Sequence, residues 1–163
     1  MTITPARTQR KPDRAQRKSG IRGTTSFLFV QVARFHRRRA ADLLGELNLH
    51  PGQEMILENL WTRGTMNQGD LADHVGVRRA TLSVALRPLE KAGLIERICD
   101  PDDRRVMQVT ATEKSQELRL KVYEIWGQIN REMISGLEPD EVRTFDRLLR
   151  KVRRNLSDKV LSG

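Results

Sequence analysis

Between residues 67 and 110 the spacing of apolar positions changes, and the changes divide the stretch into two helices and a hairpin. In Gln68–Val75, Leu71 and Val75 fall four apart on one helical face. Asn67 occupies the N-cap position ahead of it, with Asp70 three residues on in the spacing of a capping box. Gly76-Val77 breaks the pattern. From Arg79 to about Ala92 the apolar positions Leu82, Leu86 and Leu89 form one stripe, flanked by Val84 and Ala85. Gly93 stands where a helix-ending glycine belongs. Pro88 lies inside this second helix, removes the partner of the Val84 carbonyl and predicts a bend. Beyond Gly93 the period changes. Leu94–Cys99 and Val106–Thr110 are short, β-branched segments around the turn Asp100-Pro101-Asp102-Asp103-Arg104-Arg105, which predicts a hairpin. Two short helices joined through glycine make a helix-turn-helix, whose second helix can enter a DNA major groove. A hairpin placed directly behind it is the wing of a winged-helix domain.

Longer helical patterns flank this stretch. A first helix is predicted from Thr24 or Thr25 to Leu47, with Phe27, Leu28, Val30, Phe35, Leu43, Leu44 and Leu47 as its apolar members. Arg34-Phe35-His36-Arg37-Arg38-Arg39 interrupts them with a cationic run, read as a solvated face whose stems lie over apolar neighbours. The alternative is a patch that meets phosphates or an acidic ligand. Pro51 suits the first turn of a second helix over about 52–63, which carries Met55, Ile56, Leu60 and Trp61. After the hairpin, Leu118, Val122, Ile125, Ile129 and Met133 step by 4, 3, 4 and 4. Val142, Phe145, Leu148, Val152, Leu156 and Val160 then step by 3, 3, 4, 4 and 4. That is more apolar stripe than one small winged helix can cover.

Composition sharpens the choice of partner. The 163 residues suit one domain, and the net charge of +9 points to a polyanion, nucleic acid first. Most of that charge is local. Residues 1–24 hold Arg7, Arg10, Lys11, Arg14, Arg17, Lys18 and Arg22 against Asp13 alone. With Pro5, Pro12, Gly20 and Gly23 and almost no large apolar side chains, residues 1–23 read as a disordered basic arm. It is either a solvated tail or an arm adding phosphate or minor-groove contacts. The single cysteine, Cys99, allows no intramolecular disulfide and reads as a small apolar strand residue. No apolar run reaches membrane-spanning length and no signal-peptide core is present, so a cytoplasmic location is expected.

The run from Leu47 to Thr112 resembles the multiple-antibiotic-resistance regulator (MarR) family of winged-helix transcription factors. The resemblance is carried by Asp70-Leu71-Ala72, by Leu89-Glu90-Lys91-Ala92-Gly93-Leu94-Ile95-Glu96-Arg97, by Asp103-Arg104-Arg105 and by Val109-Thr110. Order and spacing match together, and with the flanking helices the likeness spans roughly residues 25 to 160. It implies a mainly α fold with a small β wing. A single domain over 24–163 would hold a winged helix at about 51–111 and dimerisation helices at about 24–47 and 112–160. It also implies a homodimeric regulator, a repressor, bound to a pseudo-palindromic duplex and released by a small aromatic or phenolic effector.

Residue by residue, the start of the second helix supplies Arg78, Arg79, Thr81 and Ser83, with Arg87 a turn further on. Arginine suits guanine edges or phosphate, and Thr and Ser serve either. By resemblance Arg104 enters the minor groove, Asp103 orients the wing arginines and Arg105 is the more structural of the two. Two positions depart from the family pattern: Val84 replaces a frequent arginine, and Arg78 replaces a Ser or Thr cap. The effector pocket by the same resemblance would draw on His36, Met55 and Trp61, which serve equally well as core or surface residues. His36, His50 and His74 are dispersed, so no metal site is expected. No nucleophile–base pair or glycine-rich phosphate loop is evident, so neither an enzyme nor a cofactor is expected. The alternative is a general nucleic-acid-binding or architectural protein relying on its basic tail. An aromatic content of 4 % counts against single-strand stacking.

Overall fold

A computed structural model of the chain describes residues 20–101, 103 and 105–161. Most of the predicted arm, residues 1–19, and the wing-tip residues Asp102 and Arg104 lie outside them. Among the described residues, α-helices and strands follow in the order α1 Thr25–Gly45, α2 Gln53–Arg63, β1 Met66–Asn67, α3 Gln68–Val75, α4 Arg79–Lys91, β2 Ile95–Cys99, β3 Met107–Ala111, α5 Glu113–Met133 and α6 Pro139–Leu161. The fold is mainly α with a small antiparallel sheet, as the sequence patterns predicted. The chain divides into two compact units, one running through Arg39 and the other from Ala40 onward.

In the first unit a short 3-10 turn, Ile21–Gly23, precedes α1, where the sequence suggested only an unstructured tail. Thr24 ends that turn and starts the helix: its hydroxyl donates to the Ile21 carbonyl at 2.8 Å and accepts from Phe27 N–H at 3.1 Å. Leu28, Phe29, Val30, Val32 and Phe35 are exposed.

The second unit holds the core. Leu44 and Leu49 join Ile56, Leu57 and Leu60 of α2, Leu71 of α3, Leu82, Leu86 and Leu89 of α4, Ile95 and Val109 of the sheet, and Val122 and Ile129 of α5. Each such side chain contributes about 1.5–3 kcal/mol on burial. The stripe that marked α4 in the sequence is therefore the face that seats it.

Helix α2 begins later than Pro51 suggested. Gly52 is its N-cap, with φ of 101°, so Pro51 stands before the cap rather than in the first turn. Two buried side chains close this end: Gln53 accepts from His50 N–H at 2.8 Å and Glu54 from Gly52 N–H at 2.7 Å. Strand β1, not anticipated, pairs with β3 through Met66↔Val109 and Asn67↔Gln108, giving the order β1-β3-β2.

Candidate nucleic-acid interface

Asn67 does two jobs at the entrance to α3. Its side chain accepts from Asp70 N–H at 2.7 Å, the N-cap bond that the spacing implied, and its amide donates to the Asp70 carboxylate at 2.5 Å in place of the backbone N–H of a capping box. The helix ends at Gly76, whose φ of 75° puts it in the left-handed region. Gly76 and Val77 N–H groups both return to the Ala72 carbonyl, so three residues carry the chain from α3 into α4. Arg78 is the N-cap of α4, with extended backbone and no side-chain cap bond. The cost of putting arginine there is a helix start with its first amides unpaired by any side chain.

With Leu82, Leu86 and Leu89 turned inward, the outward face of α4 follows from helix geometry. Arg78, Arg79, Thr81 and Arg87 are exposed and Ser83 is half-buried. Val84, also on that face, is 64 % exposed. The Arg79 guanidinium reaches back across the start of α3. A Cβ built on Gly69 would stand 3.1 Å from Arg79 Nη2, so the glycine leaves the guanidinium its room. A shallow hollow there is lined by Asn67, Gln68, Gly69 and Asp70, by Arg79, and by Arg105, Val106 and Met107 of the wing. It brings one cation of α4 and one of the wing to a common edge.

The wing is an antiparallel ladder from Ile95↔Ala111 to Cys99↔Met107. Asp103 Oδ1 accepts from the backbone N–H of Arg105 at 3.0 Å and from its Nε at 3.2 Å. Asp100, which the motif reading passed over, closes the turn. Its carboxylate accepts from Asp103 N–H at 3.2 Å and from Gln108 Nε2 at 2.6 Å, and its N–H donates to the Val106 carbonyl at 2.9 Å. An aspartate at a hairpin mouth is the sequence signal for such a closure. Arg104 lies outside the described residues. Cys99 is the last residue of strand β2, as expected, and is exposed, with its Sγ 3.7 Å from Met107 Sδ.

Three links fix the wing to α4. The helix ends in a double return, Gly93 N–H to the Glu90 carbonyl and Leu94 N–H to that of Leu89, both at 2.9 Å, with Gly93 at φ of 68°. Thr112 donates through its hydroxyl to the Gly93 carbonyl at 2.7 Å. Arg97 of β2 forms an ion pair with Glu90 of α4. The hydrogen bond from Arg97 holds the Glu90 carboxyl below its ordinary range and raises the guanidinium in turn.

The candidate effector residues are placed apart in character. Trp61 is buried and its indole N–H donates to Ser115 Oγ at 3.1 Å, with the Tyr123 ring edge-on at 6.3 Å. Met55 is exposed on α2. His36, on α1, belongs to the first unit and is half-buried. Among the described residues no cluster of His, Cys, Asp or Glu is placed to hold a metal ion, and no helix is long and apolar enough to cross a membrane.

Comparison with known proteins agrees with this geometry. The family model described as the MarR family matches residues 49–107. The HTH-type transcriptional regulator YwaE of Bacillus subtilis is 29 % identical over 129 residues, covering 79 % of this chain and 75 % of its own. YybA of the same organism, also an HTH-type transcriptional regulator, is 30 % identical over 115 residues, with 68 % and 74 % covered. A mutant MarR from E. coli, solved in complex with operator DNA, superposes with a TM-score of 0.72 at 25 % identity, covering 78 % of this chain and 91 % of that one. A helix-turn-helix with an exposed cationic helix, a closed wing and these relatives leave one assignment: the chain belongs to the MarR family of DNA-binding transcriptional regulators.

Proposed function

We propose that the protein is a homodimeric repressor that binds a pseudo-palindromic duplex and leaves it when a small aromatic or phenolic compound binds. The observation that carries the DNA part is the shared hollow that Arg79 of α4 and Arg105 of the wing both line, beside an exposed helix face. α4 enters the major groove with Arg79, Thr81 and Ser83 toward base edges or phosphates, and Arg78 and Arg87 add backbone contacts. The wing carries Arg104 to the minor groove, with Asp103 and Arg105 setting its base.

Pairing is supported by apolar side chains left in the open. On α6, Leu148, Val152 and Leu156 repeat at four-residue spacing and are 47 %, 42 % and 55 % exposed. A dimer offers two copies of α4 to half-sites about one helical turn apart. The effector part rests on the family resemblance, with His36, Met55 and Trp61 as its candidate contacts.

Selection of bound duplexes from a random pool tests the reading, followed by anisotropy titration of the enriched site. An inverted repeat should emerge, and Arg79→Ala and Arg104→Ala should each weaken binding by about 1–3 kcal/mol. Release by a panel of benzoates and phenols tests the effector. A general binder would give no enriched repeat and would lose affinity for all sequences when residues 1–23 are removed.

A further inference from the structure

The outward face of α4 has an apolar centre. The helix meets the core through Leu82, Leu86 and Leu89, and Val84 lies nearly opposite, about 200° around from Leu82 at 100° per residue. Ala80, one turn earlier, falls on the same exposed line. Thr81 and Arg87 flank Val84 at about 60° on either side, and Ser83 lies about 100° away. Val84 gives nothing to the core, since 64 % of it is exposed, and a β-branched residue is a poorer helix former than alanine. The Arg79 guanidinium is directed toward Gly69 and does not cover the valine. Folding alone therefore offers no reason for a valine at this point.

One group on the floor of the major groove suits such a surface. Adenine, guanine and cytosine show only donors and acceptors there, whereas thymine adds an apolar C5-methyl. We propose that Val84, seconded by Ala80, reads thymine methyl groups, so that each half-site carries a thymine beneath Val84. This rests on α4 entering the major groove. Thr81 and Arg87 then supply polar contacts around a methyl-sized dry patch, and specificity at its centre comes from shape and desolvation.

Deoxyuridine isolates the methyl, because it keeps the pairing and both acceptors of thymine and lacks only that group. The probe is a duplex enriched from a random pool by the wild-type protein, with its thymines replaced one at a time. Binding is followed by anisotropy for the wild type and for Val84→Ser, which exchanges one exposed residue for another of similar helix propensity. At one thymine in each half-site the wild type should lose about threefold to fivefold in affinity, the worth of one buried methyl. Val84→Ser should show no loss at that position, and Val84→Thr, which keeps one methyl, should fall between. A scan flat at every thymine overturns the proposal, as does a sensitive position that is equally sensitive in Val84→Ser. If no duplex is enriched at all, the major-groove reading fails first and takes the proposal with it.

Discussion

Ser115 has no exposed surface, and its hydroxyl sits between two partners, donating to the Thr112 carbonyl at 2.8 Å and accepting from the Trp61 indole. Ser115→Ala leaves a buried indole N–H without an acceptor, and should cost about 1–3 kcal/mol in unfolding free energy, read from the urea midpoint. Trp61→Phe removes the donor instead, and leaves the serine still bonded to Thr112. Its polar cost is the smaller, although the lost ring volume adds a packing term. At this scale the sequence was legible where chemistry is local. Asp103 could be set against the wing arginines through the family resemblance, whose motif is a short contiguous run in a turn. Trp61 and Ser115 are 54 residues apart, and no spacing rule connects them; a lone tryptophan on a helix is compatible with a pocket as much as with a core. Val84 shows the reverse. Its identity was plain, but its meaning depends on facing outward, which only the seating of Leu82, Leu86 and Leu89 decides.

Helices α3 and α4 show what the pattern of apolar positions can and cannot carry. Their extents and ends were readable because a four-residue stripe, a capping Asn67 and the glycines 76 and 93 agree at each boundary. Strand β1 was not, because two residues have no period. Pro51 misled for a similar reason, since Gly52 holds the cap in a left-handed conformation and pushes the proline outside. The unassisted cap at Arg78 yields a two-sided expectation. Arg78→Ser should raise thermal stability by about 1 kcal/mol through a restored cap. The same change removes a cation from the face proposed to meet DNA, so affinity for the enriched duplex should fall; both measurements on one variant separate the roles. The Glu90–Arg97 pair joins α4 to β2 and adds a pH dependence. Glu90 is held below its ordinary value of 4.5 in the folded chain, so the pair's stabilisation is full above that pH. It is lost as the pH falls through the lowered value. Melting curves of the wild type and Glu90→Gln should therefore differ at neutral pH and converge below pH 4.5; a constant gap would dismiss the pair as a contributor.

For the molecule as a whole, charge and sheet topology set the terms. Seven of the thirty basic residues lie in the first 24 positions, so removal of residues 1–23 should make the plot of log affinity against log salt shallower. The slope should change by about 0.9 for each phosphate that the arm no longer neutralises, with the preferred sequence unchanged. An unaltered slope would mark the tail as a bystander. The open stripe of α6 offers a test of the proposed dimer. Leu148→Glu, placed on an already exposed position, should shift the sedimentation coefficient toward a single chain without unfolding α6. The smallest strand governs something larger. Asn67 belongs to the sheet through Gln108 and to α3 through Asp70, while Gln108 in turn holds Asp100 at the wing mouth. Helix entrance and hairpin base are thus tied through one hydrogen-bonded joint. If α4 and the wing read the two grooves as proposed, each chain acts as a gauge whose step from one groove to the other is set at this joint. In the proposed dimer, tolerance for operators of unequal length would then come from the angle between two gauges, and an effector acting on that angle would change the measurement without touching either tooth.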